Sequence, residues 1–526
     1  MTAHPAAVPL TQVVKEGNTG SPASLDSISS WLTECSASHA TCKPPESPLP
    51  DRVLEFSKSL RGKISVKLVE GLKGNEPYAA LSHRWGPSTP KYRTMHDNLA
   101  AHLEGISWDG LPKTFQHAIE VALHLGLKYV WIDSLCIIQD SKEDWLVQSA
   151  KMCDIYQGAH VTIAATNSVD SNDGLFRDVH KAPIDGGELR RTKIYIRDRP
   201  VSGAGANDHG VEGHVDETPL LTRGWVFQER LLSKRVIHFA PREVVFECVR
   251  ATNRCDCGHG GTWAVRQTHF ETLRNYMNLI GPDQIKNHWQ DLVRLFCLLD
   301  LTFHSDALPA LAGIARQIGT THKETLGRYV AGFWEKTVPF DLVWVVRDGH
   351  TRSLQPDPSP LPSWSWASKA GAHTWIRYPK KRDELELVNF DVKLTGKDEY
   401  GPVDSAELTM LGHLVEGSWE PPATPDAKQP YLLDFHSNTG SDQRCSMKFD
   451  YNFTTPDTPD YLPPGVPLYA MKTGIMSKYH LCLILRAEER DGKRVYRRVG
   501  LLDEAAVDVV DSWFAEGAAA ETVVLV

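Results

Sequence analysis

The chain has 526 residues, 41% of them hydrophobic and 23% charged. That is the make-up of an ordinary globular protein, long enough for a substantial core without disulfides or metals. A formal net charge of −9 and a pI near 6.2 argue against a dominant nucleic-acid or anionic-membrane surface, while leaving room for a local basic pocket. Ten cysteines spread over this length suit a reducing compartment. There is no basic and apolar leader and no run of about 20 apolar residues, so the expectation is a cytoplasmic protein that does not span a membrane.

Residues 1–30 are rich in Ser, Pro, Ala and Thr and read as a flexible leader, followed by a short helix over residues 30–42 that Pro44, Pro45, Pro48 and Pro50 terminate. Apolar or alternating runs at 53–56, 64–69 and 78–82 read as strands. Pro112 suits a first helical position, Phe115, Ala118, Ile119 and Ala122 share one helical face, and Gly126 is placed to end that helix. Residues 129–132 form a wholly apolar run, as in a strand buried on both faces, and Asp133 breaks it. Ser141 with Asp144 resembles a capping box, Gly158 ends the helix behind it, and 161–165 reads as the next strand. Strand, helix, strand, helix, strand predicts an α/β domain with a mainly parallel sheet. Residues 225–232 read as a helix, 235–239 and 244–248 as a hairpin turning at Pro241, and 268–335 as helical. Beyond Pro356 short strands alternate with Pro, Gly and Asp, and Asp491-Gly492 between 480–486 and 495–502 is a hairpin signal. The expected division is a leader and short helix over 1–50, an α/β domain over 51–262, a helical connector over 263–350 and a β-rich region over 351–526.

Four segments carry a family resemblance. They are Tyr78-Ala-Ala-Leu-Ser-His-Arg-Trp-Gly86, then Leu111-Pro-Lys-Thr-Phe115 leading into Tyr129-Val-Trp-Ile-Asp-Ser-Leu-Cys-Ile-Ile-Gln-Asp140, then Thr222-Arg-Gly-Trp-Val-Phe-Gln-Glu-Arg-Leu-Leu-Ser233, and finally Leu361-Pro-Ser-Trp-Ser-Trp-Ala-Ser368. Together they resemble the heterokaryon-incompatibility (HET) domain family of fungal nonself recognition and programmed cell death. His83 stands where that family often has an aromatic residue. HET domains have been compared with TIR domains, some of which cleave NAD+, and TIR domains carry a glutamate four residues after a tryptophan on a helix. Trp225 and Glu229 have that spacing, which puts them on one helical face. The resemblance implies a flavodoxin- or TIR-like sheet with ligands at the carboxyl ends of its strands.

On that reading Glu229 would stabilise an oxocarbenium-like ribose as the nicotinamide–ribose bond breaks, and Asp133 would hold a ribose hydroxyl. Ser82, His83, Arg84, Trp85, Gly86 and Trp225 would bind the nucleotide, Arg84 by pairing with phosphate and Trp85 by stacking. The bland alternatives are a solvated helix glutamate beside Arg230 or Lys234, a loop cap at Asp133, and a structural turn around a buried Trp85. Cys136 is a nucleophile candidate, more ordinarily a core residue. Two Cys/His groups raise the question of metal: Cys35, His39 and Cys42, and Cys248, Cys255, Cys257 and His259. Neither has the paired C-x2-C spacing usual for zinc, so no metal site is assigned and structural zinc is the minor alternative. No nucleotide-binding loop of the G-x-x-x-x-G-K-[ST] type, no H-E-x-x-H and no dinucleotide fingerprint occurs.

The leading expectation is therefore a HET-domain effector that hydrolyses NAD+ without a cofactor, activated by self-association or by an upstream recognition protein, with no nucleic-acid or membrane partner. Two other readings stand beside it: a small-molecule tailoring enzyme of secondary metabolism, and a non-catalytic recognition module.

Overall fold

The computed structural model describes residues 17–86, 92–179, 218–241, 243–250, 254–255, 281, 284–346, 361–369, 373–375, 385–420, 432–434, 448–450, 461–476, 479–506, 510–511, 513–514 and 519–526. The chain divides into two compact units, Met1–Leu279 and Ile280–Val526.

In the first unit β1 (Gly17–Asn18) precedes helix α1 (Pro22–Ser38). This helix starts well before residue 30, so residues 22–30 are not part of a leader. Ser21 accepts a hydrogen bond from the Ser24 N–H and Pro22 occupies the first turn, a start signal that the small polar composition of the stretch conceals. A 3-10 turn, Ala40–Cys42, follows. Then come β2 (Arg52–Lys58), β3 (Ile64–Glu70), β4 (Tyr78–Ser82), α2 (Leu99–Glu104), α3 (Lys113–His124), β5 (Tyr129–Trp131) and the single turn α4 (Asp133–Cys136). They are followed by α5 (Lys142–Gly158), β6 (Val161–Ala164), β7 (Asp178–Val179), α6 (Gly224–Leu232), β8 (Arg235–Phe239), β9 (Val244–Cys248) and β10 (Arg254–Cys255). Pro112 caps α3 rather than opening it, and Gly126, at φ +72°, takes the left-handed conformation after its end.

Eight strands form one sheet in the order β10-β9-β8-β6-β4-β5-β2-β3. Its centre is parallel: β4 pairs with β5 on one side and β6 on the other, and β6 pairs with β8. The flanks are antiparallel, β2 on β5 and β3 on β2 at one edge, β9 on β8 and β10 on β9 at the other. Counted along the chain, the parallel core runs second, first, third, fourth, the doubly wound order in which the chain reverses direction across the sheet beside its first strand. Every residue of β4, β6, β8 and β9 is buried, which explains their mainly apolar character, with Arg235, His238 and Glu247 as buried polar exceptions.

A buried cation fixes the start of α5. Arg52 on β2 donates through Nε to the Cys136 carbonyl at 2.8 Å and pairs with Asp144. Ser141 caps the helix by accepting from the Asp144 N–H at 3.1 Å, but the return half of a capping box is missing. The Asp144 carboxylate turns instead to Arg52 and to the Ile138 N–H, at 2.8 Å from the latter.

The second unit has helices Ile285–Phe296 and Pro309–Thr321, after which the chain turns to short strands, Tyr329–Val330 and Phe333–Trp334, so the helical reading of 268–335 stops short. Residues 268–280 lie outside the described residues. A nine-stranded, almost wholly antiparallel sheet follows, joined at its centre by the hairpin of Tyr479–Arg490 and Lys493–Ala506. Asp491 at φ +51° and Gly492 at φ +70° make the two-residue turn that the sequence signals. The fourth motif is part of this unit's core. Trp364 and Trp366 are buried, Trp366 Nε1 donates to the Gly332 carbonyl at 3.0 Å, and the Ser365 hydroxyl donates to the Ala331 carbonyl at 2.6 Å.

Replacing Arg52 with Met leaves Asp144 without its cation in a site little exposed to water. The Arg52→Met chain should lose about 3 kcal/mol in urea unfolding; an unchanged midpoint would show that the pair contributes nothing.

Candidate active site

In a doubly wound sheet the crevice lies outside the carboxyl ends of the parallel strands, where the connections diverge to opposite sides of the first strand. Here that place is the end of β4, between β5 and β6. Ser82 is its last residue, and its hydroxyl donates to Glu229 Oε2. Helix α6 supplies Glu229 from its second turn, and its Val226, with Leu220 of the preceding 3-10 turn, packs against Ala164 of β6 and Val236 of β8. Glu229 is therefore not a solvated helix glutamate: it is 6% exposed. Nor does Arg230 pair with it. Arg230 donates to Glu247 at 2.9 Å, and His238 stands 3.0 Å from the same carboxylate oxygen.

Burial pushes the Glu229 carboxyl up to about 7. The Ser82 hydroxyl opposes this, the negative charge of Asp133 adds to it, and Arg223 and the Tyr156 phenol oppose it. Tyr156 comes from α5 and donates to the Leu81 carbonyl at 3.3 Å.

Asp133 opens α4 at the end of β5, a quarter exposed. It accepts from the Trp85 indole at 2.8 Å and from the Ser134 N–H at 2.7 Å. It is thus the first residue of α4, not its cap, and a member of the cluster. Arg223, the residue before α6, donates to the His83 carbonyl at 2.7 Å, and its charge lowers the pKa of Arg84, second to burial. Neither guanidinium has a carboxylate partner among the described residues.

His83 enters this arrangement through its carbonyl. Its ring is buried edge-on against Phe115, with centroids 5.0 Å apart, and burial pushes its pKa down to about 4 despite Asp133 Oδ1 at 3.6 Å. Gly86 answers to the protein and not to an open approach: at φ +71°, a Cβ there would lie 2.1 Å from Asp170 Cβ. The neighbouring Ser171 hydroxyl donates to the Arg84 and Trp85 carbonyls, each at 3.3 Å. Trp225 packs edge-on against Trp145 at 6.3 Å. Cys136 is core, and burial pushes its thiol up to about 12.

Ser82 with Glu229 and Trp85 with Asp133 thus form two hydrogen-bonded pairs that act on one another through charge, as Arg223 acts on Arg84 and on Glu229; Tyr156 and Arg223 extend this cluster and are residues the sequence reading did not assign to it. Tyr156 falls at helical spacing with core residues and carries no separate signal. Arg223 sits inside the third motif, immediately before the helix that carries Glu229.

The family model described as Heterokaryon incompatibility protein (HET) matches residues 78–229. This segment is a HET domain. The match runs from the first residue of β4 to Glu229 itself, so the HET domain includes the whole cluster. No curated protein and no solved structure matches the chain significantly. Among the described residues no helix is long and apolar enough to cross a membrane.

Glu229 also gives the HET domain a pH signature. In the unfolded chain it ionises near its ordinary 4.5, in the folded chain near 7. Below about 4.5 it is protonated in both states and costs nothing; as pH rises to about 7 the penalty of a buried charge grows, and above 7 it is complete. Glu229→Gln should abolish that loss, on the order of 3 kcal/mol, and melt above the wild type at pH 8 but with it at pH 4.5. Parallel melting curves for the two proteins across this range would refute the buried ionisation.

Proposed function

We propose that the HET domain binds NAD+, or a closely related nucleotide, at the carboxyl ends of β4 and β5 and hydrolyses its nicotinamide–ribose bond, as an effector of fungal nonself recognition and cell death. The observation that carries this reading is Glu229: a carboxylate held off water at the switch point of a parallel sheet, with a pKa near 7 and hydroxyl rather than cationic direct partners. It is the residue that the Trp225 spacing likens to the TIR glutamate.

The chemistry asks little more. The electron pair of the breaking C–N bond leaves with nicotinamide, which becomes neutral, and the ribose carbon becomes oxocarbenium-like. An ionised Glu229 beside that ribose stabilises the charge as it forms, strongly because the site is dry. Water adds to the ribose carbon and releases a proton, giving ADP-ribose, nicotinamide and a proton. Asp133, fixed by the Trp85 indole, holds a ribose hydroxyl; Arg84 and Arg223, two cations without a protein counter-ion among the described residues, take the pyrophosphate. Trp85 offers a stacking surface. Self-association is the switch that the TIR comparison suggests.

The test is nicotinamide release from NAD+ by the purified chain, alone and fused to an oligomerising tag. The rate should rise with pH through about 7 as Glu229 ionises. Glu229→Gln should lower it roughly a hundredfold or more with little change in NAD+ affinity, because the charge matters most in the transition state. No release even when self-association is enforced would remove the hydrolase reading and leave the tailoring-enzyme or non-catalytic readings.

Arg84 serves a different step. Arg84→Ala should raise KM about tenfold or more, the loss of a charge-assisted contact worth ~1.5 kcal/mol, with kcat nearly unchanged. A fall in kcat at constant KM would place Arg84 at the reacting bond and not on the phosphates.

A further inference from the structure

Three cysteines and a histidine from distant parts of the first unit converge. Donor atoms of Cys35, His39, Cys42 and Cys248 all lie within 4.8 Å of one another, and the three thiols are buried and free of disulfides. Cys35, His39 and Cys42 have the i, i+4, i+7 spacing of one helical face, but α1 ends at Ser38. Cys35 is in its last turn, the His39 N–H donates to the Cys35 carbonyl at 2.9 Å, and the Cys42 N–H donates to the His39 carbonyl at 3.0 Å. The chain thus folds back at the helix end and gathers three donors in eight residues. Cys248, the last residue of β9, supplies the fourth; Cys257, His259 and the side chain of Cys255 lie outside the described residues.

We infer that these four residues bind one structural zinc ion. A tetrahedral ion with Zn–S of about 2.3 Å and Zn–N of about 2.0 Å sets its ligand atoms about 3.5–3.8 Å apart. His39 Nδ1 and Cys248 Sγ are already 3.6 Å apart, and the remaining separations need only a small contraction. Three thiolates and a neutral imidazole around a divalent ion leave one negative charge, and the fold supplies its counterpart. Arg235, opposite Cys248 in the β8–β9 register, is 2% exposed, carries no carboxylate among the described residues, and has an Nε without a hydrogen-bond partner there. Its Nη1 donates to Ser36 at 2.8 Å, beside Cys35. Four protein ligands close the coordination sphere, so the ion ties α1 to the sheet and does no chemistry.

The experiment is metal analysis of the full-length chain purified without chelator. About one zinc per chain is expected, and the reduced, stripped chain should take up cobalt with the visible and thiolate charge-transfer bands of a tetrahedral site. Cys248→Ser and Cys42→Ser should lose the metal and the bands, whereas Cys153→Ser, at a buried thiol outside the cluster, should keep both. Since a ligand variant can simply misfold, His39→Cys provides the second arm: it should keep one metal and shift the cobalt spectrum toward four thiolates. Substoichiometric zinc together with no cobalt uptake would overturn the site, as would a disulfide between any two of these cysteines in non-reduced peptide mapping. Undiminished metal in Cys248→Ser, or an unshifted spectrum in His39→Cys, would also exclude this ligand set.

Discussion

The first unit treats two buried glutamates in opposite ways, and the site depends on the difference. Glu247 is fully buried on β9 and is met directly by Arg230 and His238, a compensated charge of the sort a core tolerates. Glu229, one residue before Arg230, faces the other way and receives the Ser82 hydroxyl, while the Tyr156 phenol donates to the Leu81 carbonyl and Arg223 acts only through its field. Helix α6 therefore turns a cation toward β9 and a poorly compensated carboxylate toward the end of β4. A core has no use for the second arrangement: moving Arg223 into contact would relieve it. Yet Arg223 is spent on the His83 carbonyl. A poorly compensated carboxylate left in place at the switch point of a parallel sheet supports the catalytic role proposed for Glu229.

The α/β core is legible in the sequence because its signals are local. Apolar runs bounded by breakers give β4, β5, β6, β8 and β9 within a residue, and Asp491-Gly492 gives its hairpin, since a left-handed pair of residues leaves little choice. What fails to show is whatever depends on a distant partner. The return bond of the Ser141 cap is missing because Arg52, about ninety residues upstream, takes the carboxylate. The start of α1 is hidden because small polar residues resemble a linker until Ser21 and Pro22 are read as a cap.

The site shows the same division. Spacing singled out Glu229, and element edges singled out Arg84 and Asp133, but no pattern says whether a helix glutamate faces water or β4. Only the packing of Val226 and Leu220 on β6 and β8 decides that. The metal ligands were visible as two incomplete groups. Their membership was not, because a strand end and a helix end more than two hundred residues apart meet only once the sheet has formed.

The span that defines the HET domain is not a self-sufficient fold. Residues 78–229 contain β4, β5, β6 and the first six residues of α6, but β5 is completed by β2 and β6 by β8, both outside the span. Cut at those limits, the parallel core would present two bare strand edges, and α6 would lose the Val236 side of its seat. The flanking segments do more than cover edges. β2 carries Arg52, which sets the start of α5 and hence the position of Tyr156, while β8 holds the face against which α6 delivers Glu229. The cysteine and histidine cluster binds α1 to β9 on that same flank, so the N-terminal helix is tied to the half of the sheet that positions the carboxylate. The family match marks where the cluster sits; the residues on either side of it determine whether that geometry exists.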